Sequence, residues 1–455
     1  MSETLAKILR TDCPCGGIGK CGKCRIKVSG ELSAPTEAEK RLLGDELDEG
    51  FRLACQTIPL GDFKVDPTTD ESVKRVGGRG KLAVDIGTTT IEARLITPDG
   101  NIEVSALNPQ RRFGADVISR IGAADTTYAS ELTDELRAAV SRLTAGFEYD
   151  EAVVTGNTVM LHFFAGLDVS GMAGYPFEPE SLFGEWLDGE RVGLRGRVYL
   201  PRCVSAFVGA DTVCALIAAK PDSQETALLV DLGTNGELAY CHDGKIICAS
   251  TAAGPALEGA DISSGMRAGN GAVDRVQYFP GDNADGISGA VRVQGGFIVP
   301  RVIGGGEAKG ICGSGLISLV AALLDAGVID ESGYLGEPFG LAPGVSLTPR
   351  DVRAFQLAKS AVRTGIMLIG GEDADRLMIA GNFGRGLDIA ACRRTGLLPD
   401  RGKVDILGNA ALTGAELLLS GADDKFAAEW LDLAADERFD ELFTENLLFE
   451  GNEDK

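Results

Sequence analysis

The sequence predicts an α/β chain in which two similar halves, built from strand–loop–helix units, follow a small α+β domain. Three observations carry this expectation. Five of the eleven cysteines (13, 15, 21, 24, 55) fall in the first 55 residues. The string V-D-[IL]-G-T occurs twice, with its aspartates 146 residues apart, which implies an internal duplication. Apolar strands also run repeatedly into loops of small residues that open helices. At 455 residues the chain has room for about two to four domains.

Charge and composition narrow the function. A formal charge of −23 repels phosphate backbones and anionic lipid, so neither a nucleic acid nor a membrane is an expected partner. No apolar run approaches the ~18 residues of a membrane span. The start, MSETLAKILRTD, lacks the apolar stretch of a signal peptide, so a cytoplasmic location is expected. His162 and His242 are the only histidines, which leaves the chemistry to Cys, Asp, Glu, Thr and Gly.

The small domain comes first. CPCGGIGKCGKCRIKVSGEL followed by LACQT gives C-x5-C-x2-C from Cys15, then thirty residues to Cys55. That spacing is close to the plant-type C-x4-C-x2-C plus a distant cysteine that holds a [2Fe–2S] cluster. Gly16, Gly17, Gly19 and Gly22 permit the positive φ angles of a loop wrapped around an inorganic core. RIKVSGEL reads as a strand, and TEAEKRLLGDEL as a helix with Thr36 and Glu39 forming a capping box. The alternative is a zinc knuckle or redox pair built on Cys21 and Cys24 alone; the glycine-rich loop and the RLACQT context favour the cluster. GIGKCGKC satisfies G-x4-G-K, but Cys24 stands where a phosphate loop needs Ser or Thr. Lys20, Lys23, Arg25 and Lys27 form either a solvated face or a docking surface for an acidic partner. The six remaining cysteines (203, 214, 241, 248, 312, 392) read as buried thiols.

DPTTDESVKRVGGRG then reads as a linker. Beyond it, KLAVDIGTTTIEARLI and LLVDLGTNGELAYCHDGK are strand–turn–strand units. An aspartate ending an apolar strand is expensive to bury without a cation or donors. Beside it, a Gly-Thr turn offers amides and hydroxyls to phosphate oxygens. Two such hairpins across a cleft would hold Mg²⁺ between carboxylates and a polyphosphate between loops. TGNTVM, STAAGPALEGADISSGMRAG, KGICGSGLISL and MIAGNFG repeat the strand, small-residue loop, helix theme. From Asp423 onward twelve acids face three bases, and Phe426, Trp430 and Leu433 have the spacing of an amphipathic helix.

These residues carry a resemblance. VDIGTTT, VDLGTNGE and MIAGNFG are similar to the phosphate-1, phosphate-2 and adenosine motifs of the actin/sugar-kinase/Hsp70 ATPase superfamily. TGNTVM, TAAGPALEGADISSGMRA and ICGSGLI resemble one branch of it, the RACo-like ATP-dependent reductive activators of corrinoid proteins, which also carry an N-terminal [2Fe–2S] domain. Members usually have a further linker domain, where this chain has about fifteen residues.

The resemblance implies a ferredoxin-like domain over 1–66, a linker over 67–79, and ATPase subdomains over 80–222 and 223–455 around a nucleotide cleft. It implies that Cys15, Cys21, Cys24 and Cys55 ligate [2Fe–2S], and that Asp85 and Asp231 hold Mg²⁺ and orient the attacking water. Gly87, Thr88, Thr89, Gly233, Thr234 and Asn235 would contact the phosphates of ATP; Gly313, Ser314, Gly381 and Asn382 would lie near ribose and adenine. The activity implied is ATP-driven electron transfer from the cluster to an inactive Co(II) corrinoid protein of a methyltransferase system, regenerating Co(I). An upstream low-potential donor would supply the electron, and a homodimer is common in the resembled family. The competing readings are a redox-responsive ATPase switch, an activator of another low-potential metalloenzyme, and a small-molecule kinase.

Overall fold

The computed structural model describes residues 4–8, 19, 24–66, 79–114, 116–124, 128–221, 225–233, 235–281, 289–384 and 386–449, apart from the side chains of Asp45, Asp66 and Asn382. The chain divides into two compact units. The first comprises residues 1–152, 159–181 and 186–198, and the second 153–158, 182–185 and 199–455.

The first unit opens with strands β1 (Arg25–Leu32), β2 (Phe51–Leu53) and β3 (Pro59–Asp66), an antiparallel sheet of order β2-β1-β3. The helix Glu37–Leu43 starts as its sequence requires: the Thr36 hydroxyl accepts from the Glu39 N–H, and the Glu39 carboxylate accepts from the Thr36 N–H. Leu5, Cys24, Val28, Leu43, Leu53, Ala54 and Cys55 form the core of this domain.

Next come β4 (Arg79–Ile86), β5 (Thr90–Thr97), β6 (Gly100–Leu107), β7 (Glu148–Gly156), β8 (Glu185–Asp188) and β9 (Arg197–Leu200), in the order β6-β5-β4-β7-β9-β8. Burial in β5 alternates strictly, so one face meets the core and the other does not.

The second unit contains β10 (Ala227–Leu232), β11 (Gly236–His242), β12 (Lys245–Thr251), β13 (Ala272–Pro280), β14 (Val291–Val293), β15 (Gly296–Val302), β16 (Gly310–Ile311), β17 (Phe339–Ala342), β18 (Val345–Leu347), β19 (Arg376–Ala380), β20 (Lys403–Gly408) and β21 (Ala428–Trp430). Its main sheet has the order β20-β19-β10-β11-β12-β21. The run β6-β5-β4-β7-β9 in one sheet and β12-β11-β10-β19-β20 in the other follow the same plan: an antiparallel meander whose first strand is flanked by two later strands. The duplicated V-D-[IL]-G-T string therefore marks a duplicated architecture, with each aspartate on the first strand of its meander. A buried core gathers around the helices Gly313–Asp325 and Pro349–Leu368.

One expectation is overturned. No α-helix runs through Phe426, Trp430 and Leu433: Ala428–Trp430 is β21, paired in parallel with β12 through Ile246↔Ala428 and Cys248↔Trp430, and Leu433 opens a short 3-10 turn. Phe426, Ala428 and Trp430 also repeat every second residue, and all three pack on one cluster with Ile246 and Cys248. Pairing with the open edge of β12 decides in favour of the two-residue period. The helix of this segment comes later, at Phe439–Glu445.

Candidate functional site

In the N-terminal domain, Cys24 and Cys55 are both nearly fully buried. They are brought together by backbone, since the Ala54 N–H donates to the Cys24 carbonyl at 2.8 Å where β1 meets β2. Gly19, at φ +67°, packs so tightly that a Cβ would lie 2.7 Å from Gln56 Cδ, and Gln56 Nε2 reaches Cys55 Sγ at 3.6 Å. Cys13, Cys15, Cys21, Lys20 and Lys23 lie outside the described residues. Of the basic decoration described, Arg25 stacks 4.0 Å over Phe51 and pairs with Glu46.

A residue read from sequence only as half of a capping box proves central. Fully buried Glu39 accepts from Arg52 Nε (2.9 Å), the Leu53 N–H (3.1 Å) and the Thr57 hydroxyl (2.9 Å), besides Thr36. Burial alone would raise its pKa, but the donors, Arg52 first, outweigh burial and hold it below the usual value. Its carboxylate thus ties the helix to the segment that carries Cys55.

In the first sheet, β4 delivers Asp85 opposite Glu92 of β5 and then turns at Gly87–Thr89. The Gly87 N–H donates to the Thr90 carbonyl at 3.0 Å, and a Cβ on Gly87 would lie 2.7 Å from that same oxygen. Buried Asn108 takes two of the turn's carbonyls: its Nδ2 donates to Gly87 O (2.9 Å) and its N–H to Thr89 O (3.0 Å). Arg120 takes the third, Thr88 O. Planar trans peptides send each N–H opposite its carbonyl, so the amides of Thr88 and Thr89 face away from this clamp. Those are the groups an anion would use.

In the second unit four small-residue strings converge. Asp231 ends β10 and stands opposite Glu237 of β11. Gly381, at φ +81° after β19, leaves so little room that a Cβ would lie 2.4 Å from Asp231 Oδ1. Gly233 lies beside Glu258, whose Oε1 would be 3.7 Å from an added Cβ, and its N–H donates to Asn235 O at 2.8 Å. Gly313 opens its helix against Leu257 O and the Phe383 ring with no space for a side chain. Ser314 is buried, with its hydroxyl 3.3 Å from Cys312 Sγ. Thr234 and the side chain of Asn382 lie outside what is described.

The structure adds an acid that the motifs did not reveal. Asp211 lies in the first turn of the helix Ala210–Ala219, behind Gly209, where a Cβ would meet Asn157 Cα at 2.6 Å. Burial pushes its carboxyl up to about 6. Asp231 is only half-buried by area but is ringed by protein; burial and the charge of Asp211 push it up to about 7. Glu237 is raised well above its ordinary value by burial, then by Asp211 and Asp231. Three mutually repelling carboxylates favour protons or a cation. Among the described residues no three Asp, Glu, His or Cys groups form a metal-holding cluster, so a divalent ion here would draw ligands from a bound phosphate as well. The six later cysteines are all buried, as expected, and burial pushes Cys241 up to about 11 and Cys203 and Cys248 up to about 12.

Fold and site together define an iron–sulfur module joined to a duplicated actin-type nucleotide-binding fold. Family models agree along the chain: a 2Fe-2S iron-sulfur cluster binding domain over 3–60, the RACo middle region over 81–224, and the C-terminal domain of RACo, the ASKHA domain, over 225–455. The chain belongs to the RACo family. It is 30% identical over 438 residues to the corrinoid activation enzyme RamQ of Eubacterium limosum, covering 82% of this chain and 70% of that protein. It is 28% identical over 412 residues to the [Co(II) methylated amine-specific corrinoid protein] reductase of Methanosarcina barkeri, covering 80% and 75%. A solved reductive activator for corrinoid, iron–sulfur protein superposes with a TM-score of 0.69 at 25% identity, over 99% of this chain and 96% of that one.

Proposed function

We propose that this protein is an ATP-dependent reductive activase that returns the inactive Co(II) form of a corrinoid protein to Co(I). The observation that carries the reading is the union in one chain of a ferredoxin-type cysteine segment with a duplicated V-D-[IL]-G-T fold. The names of the two relatives, a corrinoid activation enzyme and a Co(II) corrinoid protein reductase, support it.

In this reading Cys15, Cys21, Cys24 and Cys55 hold a [2Fe–2S] cluster, which supplies single electrons at a potential near ~−400 mV. Buried Cys24 and Cys55, joined through Ala54, suit that role. Co(II) reduction is uphill for such a donor, each ~59 mV of deficit costing a factor of ten. ATP binding and hydrolysis offset it by favouring one partner-binding state over another.

Asp85 and Asp231 hold Mg²⁺ with the nucleotide and orient the attacking water. The turns Gly87–Thr89 and Gly233–Asn235 receive phosphates, and Gly313, Ser314, Gly381 and Asn382 border the nucleoside. The four segments 1–66, 67–79, 80–222 and 223–455 act as cluster domain, linker and two ATPase subdomains. A separate low-potential donor reloads the cluster in the cytoplasm, and the working form is a homodimer. Separation of function tests the assignments. Asp85→Ala should abolish ATP-driven Co(I) formation with an unchanged cluster spectrum. Cys21→Ser should lose the cluster spectrum but keep MgATP binding. A variant that behaves like the parent refutes its own assignment.

A further inference from the structure

We propose that Arg120 is a positioning residue for the phosphates of the nucleotide: a buried cation behind the Gly87–Thr89 turn that fixes and polarises its backbone amides. The proposal rests on the reading that this turn receives phosphate, and adds to it a residue that neither the duplicated string nor the glycine loops contain.

Arg120 is fully buried. Its guanidinium donates to Thr88 O at 2.5 Å, to Gly114 O at 3.1 Å and to Gln110 Oε1 at 3.3 Å, and one nitrogen lies 3.2 Å from Met160 Sδ. Among the described residues it forms no ion pair, although Asp116 acts on it electrostatically from a distance. A cation removed from water without a carboxylate partner is costly, and its nearest neighbours here are neutral. Burial, then the charge of Arg111, lowers its pKa to about 10, which leaves it protonated at neutral pH. Gln110 is itself locked in place, donating from Nε2 to Leu132 O at 3.0 Å.

A structural tie between the helix Val117–Ala123 and the turn would not need an uncompensated charge. The geometry supplies a use for it. The cation sits on the carbonyl end of the Thr88–Thr89 peptide, whose N–H points the other way. A positive charge on the oxygen polarises that peptide and strengthens its N–H as a donor, most effectively in a water-free surround. Asn108 fixes the neighbouring peptide in the same sense through Gly87 O. The turn therefore presents oriented amides backed by a full charge, an arrangement selective for anions.

The test is calorimetric binding of MgATP and of adenosine to the full-length, cluster-loaded protein. Arg120→Met should weaken MgATP binding by ~10–100-fold and leave adenosine binding unchanged. Unchanged MgATP affinity, or an equal loss for adenosine, overturns the proposal. If Arg120→Met does not fold, Gln110→Glu carries the test, because it sets a carboxylate beside the guanidinium. The same selective loss supports the proposal, and parental MgATP affinity overturns it. Gly87→Ala separates this inference from the reading beneath it. Parental MgATP affinity in Gly87→Ala refutes phosphate binding at the turn, whereas loss there with none in Arg120→Met refutes only the role of Arg120.

Discussion

Asp231 and Glu237 stand directly across from one another on β10 and β11, with Asp211 close enough to add its charge to both. Carboxylates held this close favour a proton or a cation over free charges, and the proposed Mg²⁺ would supply the cation. Asp231→Asn should therefore stabilise the nucleotide-free protein by roughly 2–4 kcal/mol at neutral pH while abolishing ATP-driven activity. Chemical denaturation with and without MgATP measures both halves of that prediction. A destabilised variant would show that Asp231 is satisfied within the free protein.

The same carboxyl gives a pH signature. Its folded pKa, about 7, lies above the ordinary 3.8, so between those values the folded chain keeps a proton that the unfolded chain has released. Its contribution to stability is full below pH ~4 and is lost as pH rises through about 7. The stability gap between Asp231→Asn and the parent should widen from pH 5 to 7.5 and then level off. A gap independent of pH would contradict the shift.

Glu39 and Arg52 make the opposite kind of pair, buried and fully hydrogen-bonded. Glu39→Gln leaves Arg52 without its counter-charge and should cost about 3 kcal/mol in the N-terminal domain. Because Glu39 also holds Leu53 and Thr57 on either side of Cys55, faster bleaching of the visible cluster absorption under a chelator should accompany that loss. Parental bleaching kinetics would detach Glu39 from the positioning of Cys55.

Gly381 offers a steric test. Alanine there would bear the strain of φ +81° and also meet Asp231 Oδ1 at 2.4 Å. Gly344, at φ +76°, has open space around it, so Gly344→Ala carries the strain alone. Gly381→Ala should weaken MgATP binding at least tenfold, and Gly344→Ala should not, although both lose about 1–2 kcal/mol from backbone strain. Equal binding by the two variants would remove Gly381 from the site.

Much of this was legible in the sequence because it is local. The capping box at Thr36 and Glu39, the strand–turn–strand around each aspartate and the glycine-opened helix at Gly313 all depend on neighbours a few residues away. What was not legible depends on long-range contacts. Asp211 sits in an apolar helix with no repeated string to flag it, and its role comes from strands that pack beside it. Arg120 follows VIS at an ordinary helical position, and only the fold carries it back to Thr88, thirty-two residues earlier. The Glu39 contacts to Arg52 and Thr57 are of the same kind. At the other end, Phe426, Trp430 and Leu433 fitted a helical period, but the open edge of β12 draws Ala428–Trp430 into a strand.

In the proposed function, ATP drives an electron from the N-terminal cluster onto cobalt. Anaerobic cluster-loaded protein, a low-potential reductant and Co(II) corrinoid proteins from the same organism should develop the Co(I) absorption band only when MgATP is present. Co(I) formed equally without MgATP, or no Co(I) from any corrinoid protein while the cluster is reducible and MgATP binds, would contradict the account.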